Sequence, residues 1–531
     1  MFKKFLGSCF IMVLSPALVF GALELGFRQF GRRNIDTYFD SQTQMELGYP
    51  VPRKQPNEYR IFIFGGSSAY GFPVADRYSI AAWLGKSFPH LLPDKKVKVI
   101  NAAWPGKASH HILEGVRGVL KYEPDLYIIY SGHNEAPADN RLLAEKWPYR
   151  MDLILRYRSA FYRYLSLRLD RLRKLAVYGH SGYAEKQYRE EVIGLKVYKN
   201  SPISFREYDR ILESYEKNTC EMIRFAKKHG IGMLLTTVPS NLQDIPPGFS
   251  FHKDGLLPGD LAEWEKFFNA GKKLEKEENP DAALEKYRKA ADIDPDHAEL
   301  QYRLGQILLK KKDYENARKA FVLARDYDGY PHRAKSGLNE NIRRDAQDFG
   351  ILLADIEKNF ESLSPHGIIG SDLIYDNVHP SVSSQQVIAD QILRVMEQND
   401  LVAAKEKWDW KTLEAARENL QSEEWKVDGA VNAYRYILRG LNLWEKSRYE
   451  DALPDLEKGL ELMPGFIEDY AFIADAYLRL GNHEKALQAF ETLRQKDASL
   501  MNLLRHKYPE IEESFSKLFP AGATSLASKS S

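Results

Sequence analysis

Five short apolar runs, separated by amphipathic stretches, constrain the fold of this chain more than any other feature. The runs are rich in β-branched and aromatic residues and lie at Tyr59–Phe64, Val97–Ala103, Asp125–Tyr130, Ile231–Val238 and Gly350–Ile356. The helical stretches between them are Ser79–Phe88, Ser109–Lys121, Phe205–Lys228 and Ala334–Asp348. Strands that alternate with helices pair in parallel, because each helix carries the chain back across the sheet. The pattern therefore predicts an α/β fold with a doubly wound parallel sheet of five strands.

A second pattern, an internal repeat of 34 residues, occurs twice in the chain. In the first copy, Gly271, Ala283, Tyr287, Ala290 and Pro295 are followed by Gly305, Ala317, Phe321, Ala324 and Gly329. In the second copy, Gly440, Ala452, Leu456, Gly459 and Pro464 are followed by Ala474, Ala486, Phe490, Leu493 and Ala498. This period, with small residues where two helices touch, is typical of tetratricopeptide repeats. A pair of repeats needs a neighbour to bury its apolar face, so the two pairs either stack on each other or dock on the α/β core.

The two patterns divide the chain into segments. We predict a signal-anchor helix or signal peptide at 1–28 and the first part of the α/β domain at 59–240, with a helical insertion at 137–202. An inserted repeat pair follows at 258–330, then the second part of the α/β domain at 331–400. A C-terminal repeat pair at 405–500 and a tail at 501–531 complete the chain.

Charge and hydropathy exclude two broad classes of protein. The 531 residues carry 75 Lys+Arg and 74 Asp+Glu, a net charge of +1, so no basic field favours a nucleic-acid partner and none is predicted. A mean hydropathy of −0.46 excludes a multi-pass membrane protein. The two cysteines, Cys9 and Cys220, predict neither a disulfide nor a cysteine zinc site. No metal or other cofactor is predicted; the neighbouring His110 and His111 would point in different directions from a helix.

The N-terminus carries an uncharged run, Phe5–Leu23, between flanking lysines and arginines. At about 1.5 Å per helical residue it nearly spans a hydrocarbon core of about 30 Å. The run favours a single membrane anchor, with the remainder of the chain in the periplasm. A cleaved signal peptide is the alternative.

The candidate catalytic residues follow the predicted strands or precede the last helix. Strand one runs into Gly65-Gly66-Ser67, strand two into Trp104-Pro105-Gly106 and strand three into Gly132-His133-Asn134, and Asp376-Asn377-Val378-His379 follows strand five. The carboxyl ends of parallel strands meet at one edge of the sheet, where α/β proteins bind their ligands. A serine hydroxyl becomes a good nucleophile when a base takes its proton, and a carboxylate fixes the tautomer of that base.

These four motifs, in this order, resemble those of the SGNH (GDSL-type) hydrolases, in a bacterial, membrane-anchored form with tetratricopeptide repeats. The resemblance covers about 60–118, 124–135 and 205–396, without the inserted repeats, and implies a flavodoxin-like sheet. It implies that Ser67 is the nucleophile, His379 the general base and Asp376 the residue that orients the histidine. It also implies an oxyanion hole formed by the backbone N–H groups of Ser67 and Gly106 and the side-chain amide of Asn134.

The chain departs from the family pattern at three positions. Gly66 stands where the family usually has Asp, Ser68 where Leu is common, and Glu135 follows Asn134 in place of Asp. Ser68 is therefore an alternative nucleophile. The sequence favours Ser67, because a strand followed by Gly-x-Ser places that serine in the turn.

Three functions fit these features. The first is a serine esterase that hydrolyses an acyl ester, O-acetyl or another short chain, through an acyl-enzyme, on an acylated glycan or a lipid. The second is a membrane-anchored O-acyltransferase that passes the same acyl group to a polysaccharide. The third is a non-catalytic scaffold whose repeats bind a protein partner or mediate self-association. The complete triad speaks against the scaffold. It does not separate the esterase from the acyltransferase, because both need the same residues; the esterase is the principal prediction.

Overall fold

The structure is a computed structural model. It describes residues 51–72, 78–136, 202–422 and 447–519, together with individual residues at 25, 151–169 and 433–444. The predicted anchor at 1–28 and the predicted insertion at 137–202 lie almost wholly outside these residues, as does the end of the predicted tail from residue 520 onward. Within the described ranges, no helix combines the length and the apolar character needed to cross a membrane.

A five-stranded parallel sheet forms the centre of the α/β domain. The strands are β1 Glu58–Gly65, β2 Lys96–Asn101, β3 Leu126–Tyr130, β4 Gly232–Thr236 and β5 Leu352–Ala354. Their order is β2-β1-β3-β4-β5, and every pair is parallel. This confirms the predicted doubly wound, flavodoxin-like sheet. Gly65 is in register with Tyr130, so β1 and β3 end at the same level and deliver their following loops side by side.

Helices pack around this sheet. In the α/β domain they are α1 Ser67–Tyr70, α2 Ile80–Leu91, α3 Ser109–Gly118, α4 Phe205–Lys228, α9 Ser336–Phe349, α10 Ile356–Leu363 and α11 Val382–Gln398. Apolar residues from the strands and from these helices belong to a single buried cluster, in which Ile61, Phe62 and Ile63 of β1 are fully buried. Parallel strands are buried on both faces, which explains why β1 is a continuous apolar run rather than an alternating one.

The inserted repeats occupy the chain between β4 and α9. Their four helices are α5 Pro258–Lys276, α6 Pro280–Ile293, α7 Ala298–Lys310 and α8 Tyr314–Asp326. A Cβ atom added at Gly271 would lie 2.5 Å from the ring of Tyr287, and one added at Gly305 would lie 2.8 Å from the ring of Phe321. The 34-residue spacing in the sequence therefore corresponds to a repeated contact in which an aromatic ring lies on a glycine.

The C-terminal helices repeat this arrangement. They are α12 Trp410–Ser422, α13 Tyr449–Leu462, α14 Asp469–Arg479, α15 His483–Lys496, α16 Ala498–Lys507 and α17 Pro509–Leu518. A Cβ atom added at Gly440 would lie 2.8 Å from Leu456, the equivalent of the two contacts above. Arg448 lies 3.8 Å from Glu299 of α7, so the two repeat pairs contact each other.

Candidate active site

The structure brings Ser67, His379 and Asp376 together at the carboxyl edge of the sheet. Ser67 is the first residue of α1, directly after β1. Its Oγ lies 2.7 Å from Nε2 of His379, and Nδ1 of His379 lies 2.6 Å from a carboxylate oxygen of Asp376. The side chains of His379 and Asp376 are 14% and 9% exposed. The imidazole is therefore largely shielded but still partly exposed to solvent.

Hydrogen bonds fix the protonation of this group. The second carboxylate oxygen of Asp376 accepts the backbone N–H groups of Val378, at 2.8 Å, and His379, at 2.9 Å. Burial opposes ionisation of Asp376, but the charge of His379 and these hydrogen bonds hold the pKa of the carboxyl below its ordinary value. An ionised carboxylate accepts hydrogen bonds only, so Nδ1 of His379 carries a proton and, in the neutral imidazole, Nε2 accepts the hydroxyl of Ser67.

Ser68, the alternative nucleophile, has a different environment. It is 4% exposed, and its hydroxyl donates to the carbonyl oxygen of Val378 at 2.9 Å. The side chain of Gln385 in turn donates to the Ser68 carbonyl at 2.7 Å. Ser68 therefore ties α1 to the Asp376–His379 loop, while Ser67 contacts the histidine. The geometry favours Ser67 as nucleophile.

The three predicted oxyanion donors come from adjoining loops. The side-chain amide of Asn134 donates to the carbonyl of Lys107 at 3.1 Å, which fixes the plane of the amide next to the Gly106 loop. Gly106 has a φ of 74°, a left-handed conformation that favours glycine. A Cβ atom added at Gly66 would lie 2.1 Å from the amide nitrogen of Asn134. This contact gives a physical reason for glycine at position 66, where the family usually has Asp.

Glu135 links the loop of Asn134 to helix α3. Its two carboxylate oxygens accept the backbone N–H and the hydroxyl of Ser109, each at 2.8 Å. The side chain of Asn218, on α4, also donates to that hydroxyl at 2.9 Å. Burial raises the pKa of Glu135 to about 7, although the bonds from Ser109 oppose the rise. This supporting role was not predicted from the sequence.

Two histidines near the site, His133 and His111, are neutral. His133 is 7% exposed and its Nδ1 accepts the N–H of Ala334 at 3.2 Å. Burial, with the nearby charge of His379, lowers the pKa of His133 to about 3. Burial, with the neighbouring His110, lowers that of His111 to about 2. Within the described ranges, no group of three or more His, Cys, Asp or Glu side chains is arranged to hold a metal ion.

Sequence reasoning missed Phe72 and assigned Asn241 a different role from the one the structure shows. The ring of Phe72 lies 4.9 Å from that of His379, and Asn241 donates to the backbone of the Asp376–His379 loop. By their positions in the sequence, Ser240, Asn241 and Arg333 lie where a loop that contacts substrate would be. The structure buries all three, with exposures of 1%, 0% and 4%. A polar residue after β4 is a weak signal, because loops that contact substrate and loops that hold other loops have similar compositions.

Fold and site together define an α/β protein with a serine–histidine–aspartate triad and two sets of helical repeats. Two segments, 274–334 and 443–503, match the family model described as "Tetratricopeptide repeat", which confirms the predicted repeats. No curated protein matches the chain at a significant level.

Several solved structures are similar to parts of the chain. A GDSL-like lipase from Bacteroides thetaiotaomicron is 12% identical, with 69% of this chain and 98% of that chain covered and a TM-score of 0.30. A lipase/acylhydrolase from Enterococcus faecalis is 12% identical, with 64% of this chain and 96% of that chain covered and a TM-score of 0.29. A catalytic mutant of an acetylxylan esterase from Geobacillus stearothermophilus is 12% identical, with 64% of this chain and 94% of that chain covered and a TM-score of 0.28. The first of these belongs to the family that the motifs resemble; at such identities and TM-scores, none of their activities is transferred to this chain.

Proposed function

We propose that this protein is a serine esterase that hydrolyses an O-acetyl or other short-chain acyl ester through an acyl-enzyme. The observation that carries the proposal is the 2.7 Å contact between Ser67 Oγ and His379 Nε2, with Asp376 on the opposite ring nitrogen. Among the described residues, this arrangement supplies a nucleophile, a base and an orienting carboxylate in direct contact.

The proposed reaction has two halves. Ser67 Oγ attacks the ester carbonyl carbon as its proton passes to His379, and the alcohol leaves with that proton. Water, deprotonated by His379, then attacks the acyl carbon, and Ser67 regains its proton as the acid departs. Asp376 stabilises the imidazolium in both halves. Asn134 and the N–H groups of Ser67 and Gly106 are the proposed donors to the oxyanion.

Labelling with a fluorophosphonate probe tests the nucleophile. We expect wild type to be labelled, Ser67→Ala to lose labelling completely, and the matched control Ser68→Ala to keep it at a reduced rate, because its hydroxyl supports the histidine loop. Labelling that persists in Ser67→Ala and is lost in Ser68→Ala would assign the nucleophile to Ser68. Unlabelled wild type would favour the scaffold.

The acyltransferase alternative uses the same triad, so the products must separate it from the esterase. The chromogenic ester p-nitrophenyl acetate is incubated with and without an oligosaccharide acceptor. The esterase releases acetate in equal amount in both cases. Acetylated oligosaccharide formed at the expense of acetate would make the protein a transferase.

For the repeats, we propose binding of a protein partner or a second copy of the chain. The support is a cleft of about 380 Å³ between the two repeat pairs. Its lining is almost entirely charged or polar and consists of Asp244, Glu275, Tyr302, Arg303, Gln306, Lys310, Arg439 and Arg448. A photo-crosslinker at Lys310 should capture the partner, and one at the exposed Lys273 on α5 serves as control. Equal yields at both positions would contradict binding in the cleft.

We also propose that the Phe5–Leu23 run anchors the protein with its α/β domain in the periplasm. The proposal rests on the length and lack of charge of this run. Protease added to intact spheroplasts should then digest the domain and leave a cytoplasmic control protein whole. Protection of the domain until the membrane is lysed would contradict this location.

A further inference from the structure

The segment that follows β4, residues 241–245, lies against the loop that carries Asp376 and His379. The backbone N–H of Asn241 donates to the carbonyl of Asn377 at 3.0 Å, and its side-chain amide donates to the carbonyl of Ile374 at 3.2 Å. The same amide donates to the hydroxyl of Ser371 at 3.1 Å. Asn241 therefore contacts the catalytic loop on both sides of Asp376.

Neighbouring residues extend this contact. Asp244 accepts the backbone N–H of Ser371 at 2.7 Å. The N–H groups of Leu242 and Gln243 donate to the carbonyl of Ile369 at 2.9 and 3.2 Å. The segment is thus paired with the stretch that leads into the catalytic loop.

The other side of the segment is held by the inserted repeats. The hydroxyl of Tyr302 and the side-chain amide of Gln306, both on α7, donate to the carbonyl of Gln243 at 3.0 and 2.7 Å. Leu242 and Ile368 are buried in the same apolar cluster as the repeat residues Trp264 and Phe321. One short segment therefore contacts the repeats with one face and the catalytic loop with the other.

Arg333, where the chain returns from the repeats, fixes the segment from the far side of the insertion. Its guanidinium donates to the carbonyls of Asn241 and Ile245 at 2.9 and 3.0 Å and lies 3.4 Å from Asp328. Asp328 in turn accepts the N–H groups of Gly248 and Phe249. The points where the chain enters and leaves the inserted repeats are therefore bound to each other and to Asn241.

Burial makes these bonds hard to replace. Asn241 is 0% exposed, Leu242 3%, Arg333 4% and Ser371 5%. Where water cannot enter, a lost donor leaves its acceptor unsatisfied, and the loop must move to find another partner. A shift of the histidine base by about 1 Å is enough to slow a reaction by about a hundredfold.

We propose that Asn241 is a positioning residue for the base His379, and that the inserted repeat pair sets its position through the carbonyl of Gln243. The inference rests on the proposed function, since it assigns a role in the same reaction. On this proposal the inserted repeats contribute to catalysis indirectly. They bind residues 241–245, and these residues in turn bind the loop that carries Asp376 and His379.

The test compares two buried asparagines after β4. Asn339 lies on α9, is 0% exposed and exchanges two hydrogen bonds with the backbone of Val238, just after β4, at 2.9 and 3.0 Å. Among the described residues it makes no hydrogen bond to the catalytic loop. For p-nitrophenyl acetate, Asn241→Ala should lower kcat about tenfold or more with KM within about twofold, whereas Asn339→Ala should keep kcat within about twofold. Melting curves of both variants record how much each substitution destabilises the fold.

A second arm acts from the repeat side. The double variant Tyr302→Phe/Gln306→Leu removes both donors to Gln243 and should lower kcat about three- to tenfold with KM unchanged. Lys319→Leu, at an exposed position on the adjoining helix α8 and outside the cleft, is the control and should keep kcat. If the double variant does not fold, Gln306→Leu alone, at a half-buried position, replaces it.

The outcomes separate this inference from the proposed function. Wild type that is neither labelled by the fluorophosphonate nor active contradicts the proposed function. Active wild type with equal losses of kcat in Asn241→Ala and Asn339→Ala shows a merely structural asparagine and overturns the inference alone. Unchanged kcat in the repeat-side variant overturns the role of the repeats.

Discussion

The neighbouring residues Ser67 and Ser68 have different partners, although they are adjacent in the same short helix. Successive residues of a helix point about 100° apart, so one of the pair faces His379 while the other faces the carbonyl of Val378. The sequence favoured Ser67 on the position of the glycines alone. The structure adds that Ser68 bonds to the loop that carries His379.

The close approach of Gly66 to Asn134 makes a prediction at this scale. The backbone of Gly66, with φ −90° and ψ −156°, is open to alanine, so the effect of Gly66→Ala arises from the 2.1 Å contact with the Asn134 amide. Removing one oxyanion donor altogether lowers kcat about 10²–10³-fold, and displacing it should lower kcat less. We expect Gly66→Ala to lower kcat about ten- to a hundredfold, measured with p-nitrophenyl acetate, with a smaller effect on KM.

Two variants calibrate that result. Asn134→Ala removes the donor and gives the largest decrease in kcat expected from its loss. Gly85→Ala, where an added Cβ atom meets its nearest neighbour at 4.0 Å, is the matched control and should leave kcat unchanged. A Gly66→Ala enzyme as fast as the Gly85→Ala enzyme would show that the amide of Asn134 is not the group displaced, or not a donor.

Among the secondary-structure elements, local signals decided which bounds were predictable. Helix α4 has the predicted bounds, and its start is marked by a capping box that Ser204 and Glu207 form. The fifth strand was predicted at 350–356 but has three residues, Leu352–Ala354. Gly350 ends the preceding helix at a φ of 58°, and Asp355 caps the next one by accepting the N–H of Lys358. The residues on both sides of the strand therefore belong to the ends of helices, which leaves only three residues for β5.

The repeated glycine–aromatic contact gives a prediction for the helical hairpins. A Cβ atom at Gly305 would lie 2.8 Å from the ring of Phe321, which is fully buried. Overpacking of a close helix contact costs about 1–3 kcal/mol or more. We expect Gly305→Leu to lower the melting temperature by several degrees, because helices α7 and α8 must separate.

Gly259 is the matched control for this change. It also lies in a helix of the inserted repeats, α5, but an added Cβ atom would meet nothing within 4 Å. Gly259→Leu should therefore melt at or slightly above the wild-type temperature, since leucine favours helix more than glycine. If the two variants melt at the same temperature, the contact between Gly305 and Phe321 does not explain the repeated spacing of small and aromatic residues in this chain.

For the whole molecule, chain order and parallel pairing made the triad predictable. Ser67, Asn134 and His379 are far apart in sequence, but loops after parallel strands meet at one edge. The supports of the site were not predictable in this way. Asn241 and Glu135 act through hydrogen bonds across the chain, to Ile374 and Ser109, and no local pattern specifies which distant loop a buried polar side chain meets.

Glu135 also couples the site to the stability of the whole protein. Burial raises its pKa to about 7 from the ordinary value of 4.5. A carboxyl whose pKa is raised on folding stabilises the fold fully below its unfolded pKa, about 4.5, and that contribution is lost as pH rises through about 7. Ionised Glu135 is thus a charge that the fold tolerates poorly, even with two hydrogen bonds from Ser109.

Glu135→Gln removes this titration while keeping the shape of the side chain. Between a pH near 5 and one near 8, the free energy of unfolding of wild type should fall relative to that of Glu135→Gln, by about 1.4 kcal/mol for each pH unit over which the folded and unfolded forms differ in protonation. Urea unfolding at both pH values measures it. Glu213→Gln, at an exposed position on α4, is the control and should parallel wild type. A Glu135→Gln curve that also parallels wild type would mean that Glu135 is ionised throughout, with Ser109 and Asn218 stabilising its charge against burial.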